Sequence, residues 1–285
     1  MSERVNGPTS TVAIGSARVG RFIVGHNPLC ANSHISEQLD AEMREHFTDA
    51  NVLALYRRAE QLGVRTFMIR GDYRMLHWLE LYRRAGGKMN VLAQTASEMH
   101  DIFANIRVLA AAGAEAVYHH GTQTDKFWRE GRIAHTLDYL KCMRDCGVAV
   151  GLGSHQPEVL DYAVQHDWDV DFYVASFYNL SREPRESSIV AGRPQYDKEH
   201  YLPEDREAMV GRIRQLNKPA LAIKILAAGR HCHSQEQVQE AFRYAFANIR
   251  PTDAVVVGLF PKHQDQLGLD LQYAQEAIRA ASAGV

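Results

Sequence analysis

Eight short apolar runs recur along the chain, each parted from the next by an amphipathic stretch. This alternation limits the open folds more than any other feature. The runs are RFIVG, VRTFMI, MNVLAQT, AEAVYHH, VAVGLGS, DFYVASF, ALAIKIL and AVVVGLF. They are rich in Val, Ile, Ala and Phe, and none alternates cleanly between apolar and polar. Parallel strands covered on both faces have this character; sheets wet on one side do not. Helical patterns lie between them. NVLALYRRAEQLG, RMLHWLELYRRAGG, EMHDIFANIRVLAAAG and IAHTLDYLKCMRDCG each end on a glycine suited to a helix C-cap. PEVLDYAVQ, PEDREAMVGRIRQL, SQEQVQEAFRYAFANI and DLQYAQEAIRAA follow, the first two entered by proline in the first turn.

Eight strand–helix units in 285 residues predict an α/β chain folded as a single (β/α)8 TIM barrel over residues 1–285. A doubly wound open sheet is the runner-up, but it lacks here the glycine-rich first turn of that fold. The segment TVAIGSARVGRFIVG opens with a hairpin, so residues 1–17 read as an N-terminal extension and hairpin. Two connections, 26–48 and 180–203, are unusually long. Both follow strands, which puts them on the carboxyl-end rim as active-site loops.

Charge and apolar content exclude several classes. A net charge of −2 supplies no footprint for nucleic acid or an anionic membrane. No apolar run approaches the roughly 18 residues that span a bilayer. The opening MSERVNGPTSTVAIG lacks the apolar core of a signal peptide. A cytoplasmic protein with a small-molecule substrate is expected, and a homo-oligomer stays open. Cys30, Cys142, Cys146 and Cys232 are scattered and read as packed or surface thiols rather than a disulfide framework.

The strand ends carry an unusual density of polar side chains. They present His26 and Asn27, with His34 further on, then Arg70, Asp72 and Tyr73, then Gln94 and Thr95. His119, His120, Ser154, His155, Ser176, Tyr178, Asn179 and Lys224 continue the series. A barrel built for stability alone has no need of such a rim. Within AVYHH, successive side chains point to opposite faces. If Tyr118 points into the barrel, His120 does too, and His119 faces the helices. Asp125 then either caps a segment starting at Lys126 or orients His120.

The chain resembles the aldo/keto reductase family over most of its length. The likeness rests on the opening hairpin, the histidines of the fourth run, GLGSHQPEVLDYA, FYNLSRE and VVVGLFPKHQDQL, which fall in family order. The resemblance implies the same barrel and a Tyr, Lys, Asp and His that reduce a carbonyl with NADPH. Residue by residue, the Tyr is kept as Tyr73, while Met68 stands for the Asp. Gln94 or Thr95 stands for the Lys, and His120 or His119 for the His. Ser154 and His155 replace the pair that holds the nicotinamide amide, and Ala175 replaces its Gln. Lys224 stands where an aromatic stacks on the nicotinamide, and the Arg-rich phosphate segment keeps Lys262 alone. These substitutions imply a reductase-like fold whose cofactor chemistry has been replaced, with no use for NADPH.

Two enzymatic chemistries fit the rim. In one, His34, His120 and His155 hold a divalent metal (Zn, Mn or Fe) that polarises a carbonyl. In the other, Lys224 lies mid-strand, partly desolvated, and serves as a base or Schiff-base nucleophile with Tyr73 and His120 as acid and base and Asp72 beside them. Asn27, Arg70, Gln94, Tyr178 and Asn179 would bind the substrate, whose class is a small polar, sugar-like molecule. The expected function is a lyase or isomerase (epimerase) step beside a carbonyl. The alternatives are an NADPH-dependent oxidoreductase and an inactive ligand-binding barrel.

Overall fold

A computed structural model describes residues 10–186 and 188–283; the first part of the N-terminal extension, residues 1–9, lies outside the described residues. An antiparallel hairpin of β1 (Thr11–Ile14) and β2 (Ala17–Gly20) leads into β3 (Phe22–Gly25), α1 (Glu37–His46) and α2 (Asp49–Gln61). Then come β4 (Thr66–Arg70), α3 (Tyr73–Arg84), β5 (Asn90–Gln94), α4 (Ile102–Ala111), β6 (Ala116–His119), α5 (Gly121–Arg129) and α6 (His135–Asp145). The chain continues through β7 (Ala149–Ser154), α7 (Pro157–Gln165), β8 (Phe172–Ser176), the short α8 (Ser188–Ala191) and α9 (Pro203–Ile213). It ends with β9 (Ala220–Ile223), α10 (Gln235–Asn248), β10 (Ala254–Gly258) and α11 (Gln266–Ala283).

Strands β3 to β10 form a closed parallel barrel in chain order, and β10 closes it by pairing with β3 from Val255 opposite Phe22 to Gly258 opposite Gly25. Side chains alternate between two cores. Ile23, Met68, Leu92, Tyr118, Phe172 and Val256 fill the barrel, while Phe22, Phe67, Val91, Val117 and Val255 meet the helices. The interior is tight. A Cβ at Gly151 would lie 2.3 Å from the Phe172 ring. The hairpin plugs the amino end, where Val12, Ile14, Ala17 and Val19 join the interior cluster.

Each expected strand is present, and helices α2, α3, α4 and α6 stop where the glycine caps imply. Gly63, Gly86, Gly113 and Gly147 take φ of 83, 84, 85 and 75°, the left-handed region that glycine enters without strain. Three helices among the described residues were not foreseen as such, the short α8 inside the 180–203 connection being one. Helix α5 starts at Gly121, not near Lys126, because packing outweighs the weak propensity of Gly-Thr-Gln-Thr. Helix α1 buries just Asp40 and Met43, too sparse a stripe to show as periodicity. No helix among the described residues is long and apolar enough to cross a membrane.

A further difference bears on chemistry. Lys224 is not mid-strand: β9 ends at Ile223 and the lysine turns the chain with φ 66°. Its side chain is thereby aimed at the cavity described next.

Candidate functional site

The carboxyl ends of the strands surround a cavity of about 390 Å³. On its floor, Tyr118 donates to Gln94 Oε1 at 2.7 Å. Arg70, on the last residue of β4, is 1% exposed and still lines the cavity. Glu98 pairs with its guanidinium, and Asp72 stands 3.7 Å from Nε. A buried cation is tolerated because these carboxylates offset its desolvation.

The two long loops meet over the opposite wall. Glu199, from the loop after β8, accepts from His34 Nδ1 at 2.8 Å, Arg185 at 3.1 Å and the Tyr201 hydroxyl at 3.1 Å. Burial opposes ionisation of Glu199, yet His34, Lys224 and Arg185 together hold its carboxyl down at about 2. Burial, then the Lys224 charge, takes His34 down to about 4 against the pull of Glu199. The pair is therefore a neutral imidazole donating Nδ1–H to a carboxylate. That tautomer leaves Nε2 to accept from Asn27 Nδ2 at 3.1 Å.

Lys224 lines the same wall with no hydrogen bond or close ion pair among the described residues. It is half-buried and opens onto the cavity. Burial takes its ammonium down to about 7, with Glu199 resisting and Arg185 and Arg230 assisting. Much of the amine is thus unprotonated near neutrality, the form that is nucleophilic and basic.

On the third side, Asp125 is fully buried within α5 and gathers four donors. The Ser154 hydroxyl at 2.5 Å, the Ser181 hydroxyl at 2.6 Å, the His155 amide at 3.1 Å and His155 Nδ1 at 2.7 Å all point to it. A carboxylate so held fixes the tautomer and orientation of its histidine. His155 lines the cavity. Asp125 orients His155, in place of the two expected roles, a cap for a segment starting at Lys126 or a partner for His120. His120 instead lies 2.9 Å from Ser97 Oγ through Nδ1 and is held well below its ordinary pKa by burial. His119 faces away as the alternation requires, 2.8 Å from Thr124 and stacked on Phe127 and Tyr139.

Asn27, His34, Arg70, Gln94, His120, His155 and Lys224 thus surround one cavity. Four other expected site residues are placed outside it. Tyr73 opens α3 and is 76% exposed. Asp72 is the N-cap of that helix, accepting from the Met75 amide at 2.9 Å, and burial raises its carboxyl. Tyr178 is buried against Tyr201 and bonded to His231 at 3.0 Å. Asn179 accepts from the Ser181 amide at 3.0 Å. The expected metal ligands are also kept apart. Among the described residues no three His, Cys, Asp or Glu side chains gather as a ligand group.

Several cavity residues escaped the sequence reading. Glu199 and Arg185 sit in a loop whose length marked it, but no local spacing sets them apart. His26 was seen at its strand end without a role. Its Nδ1 is buried without a partner, and burial followed by Arg70 takes it down to about 3.

No protein-family model and no curated protein sequence matches the chain. Solved structures do. An aldo-keto reductase from Bacillus halodurans matches at 12% identity over 96% of each chain, TM-score 0.57. A truncated 3-deoxy-D-arabino-heptulosonate 7-phosphate synthase from Thermotoga maritima matches at 14%, over 96% of this chain and 92% of that one, TM-score 0.51. An N-acetylneuraminic acid synthetase from Leptospira borgpetersenii matches at 10%, over 96% and 90%, TM-score 0.52. Such likeness establishes the barrel. Activity has to be argued from the site.

Proposed function

We propose that the chain is a non-redox enzyme of lyase or isomerase type. It acts beside the carbonyl of a small, sugar-like substrate that carries a negative charge. The observation that supports this best is Lys224, an amine lowered to about 7 and opening into a cavity whose floor holds Arg70. In this reading Arg70 binds the anionic group and Gln94 a hydroxyl. Lys224 attacks the carbonyl or removes the neighbouring proton. His155, steadied by Asp125, relays protons to and from the reacting oxygen. Neighbouring folds that handle sugar-like substrates agree with this class without fixing it.

This reading draws on neither a metal nor NADPH. The three histidines are not arranged as metal ligands, so no step is drawn through a metal. Lys224 occupies the place where the reductase resemblance puts an aromatic partner for nicotinamide, so that stacking contact is missing. Titration with NADPH should give no saturable change in fluorescence; micromolar binding would restore the reductase reading.

Lys224 is tested by adding borohydride during turnover of a panel of phosphorylated and carboxylated hydroxy-carbonyl sugars. A reduced adduct on the Lys224 peptide identifies an imine. Turnover lost in Lys224→Met without any adduct identifies a base. Turnover retained in that variant overturns the proposal.

A further inference from the structure

The cavity does not end at Lys224. It continues between the loop after β9 and the first turns of α10 and α11, past Leu226, Val238 and Leu269, and reaches Asp270. This carboxylate is 6% exposed. Among the described residues it has no hydrogen bond and no ion pair.

That isolation is peculiar to Asp270 when it is set beside comparable acids. Buried Asp125 gathers four donors, and buried Asp253 is held by Arg250 and by the Ala220 amide at 2.8 Å. The other polar groups near Asp270 are occupied. Gln235 donates to Gln264 at 3.2 Å and accepts from the Tyr273 hydroxyl at 3.1 Å. Gln266 accepts from the Phe260 amide at 2.7 Å. Among the described residues the Cys232 thiol senses Asp270, being pushed up to about 11 by partial desolvation and then by Asp270. Arg230 is turned elsewhere, over the Tyr201 ring and onto the His34 carbonyl.

We propose that this end of the cavity is a second subsite, in which Asp270 receives an ammonium or amidinium group at the end of a short apolar chain. The walls suit the chain, and the lone carboxylate suits the cation. Burial by itself raises the Asp270 carboxyl to about 7. A bound cation would lower it again and leave the carboxylate charged. The subsite lies apart from the Lys224 chemistry and stands without it.

Pentylamine and pentanol are the probes, titrated into the full chain by calorimetry above neutral pH. Pentylamine should bind at least about tenfold more tightly than pentanol, since only it offers a charge to the buried acid. Asp270→Asn and Asp270→Leu should each erase that preference. Asp270→Leu should also melt at a higher temperature, because a lone buried acid is removed, which shows that the lost preference is not misfolding. Lys224→Met should keep the preference, so failure of the catalytic reading is seen separately. Equal binding of the two probes, no binding of either, or a preference surviving in Asp270→Asn would overturn the proposal.

Discussion

His119 and His120 are neighbours in the chain with opposite surroundings, and a one-residue difference decides what each can do. His119 sits among Phe127, Tyr139 and Thr124, so His119→Ala should cost about 2–4 kcal/mol through lost packing and a lost hydrogen bond. His120 opens onto the cavity and holds Ser97. Its removal should change stability by about 1 kcal/mol or less while turnover falls sharply. Thermal melts and assays of the two alanine variants check this, and a dead but stable His119→Ala would sink it. This much was legible from strand alternation, because a period of two is a property of adjacent residues. The partner of Asp125 was not legible. That carboxylate reaches His155, 30 positions on in the chain, and only the barrel brings them together.

At the scale of elements, the loops 26–48 and 180–203 are tied by His34, Glu199 and Arg185. Their lengths and placement on the rim could be read from the strand pattern. Their contact could not, because His34 and Glu199 stand 165 positions apart. Glu199→Gln tests the tie twice. Arg185, with a side chain 4% exposed, would lose its counter-charge, at a cost of about 3–5 kcal/mol. Glu199 also favours the protonated form of Lys224. In the wild type, activity should rise with pH as the amine loses its proton near about 7. Without the Glu199 charge that rise should move to lower pH. Stability follows the same linkage. Between about 7 and the ordinary lysine value of 10.5, the unfolded chain binds more protons at this site than the folded one, so stability gains with pH across that window. A pH–rate profile whose acid limb stays put in Glu199→Gln would show that the two groups are uncoupled.

The whole molecule divides its labour between the ends of the barrel. The fold was legible because eight repeats of one pattern leave few topologies, and each repeat is local. The carboxyl end was legible as a polar rim, while its internal pairing depends on loops that no periodicity describes. The amino end is a different kind of structure. Its hairpin closes the barrel with Val12, Ile14 and Val19, and Ile14 is wholly buried against the interior cluster. Among the described residues none of the hairpin lines the cavity, so that end should serve stability alone. Ile14→Ala should cost about 2–5 kcal/mol, since a packed interior cannot collapse fully around the void. At about 2–4 °C per kcal/mol the melting temperature should drop by several degrees. Rate constants measured well below that transition should match the wild type, as should borohydride trapping at Lys224. A variant that stays folded yet loses activity would show that the two ends are coupled through the interior stack, and the division of labour would have to be given up.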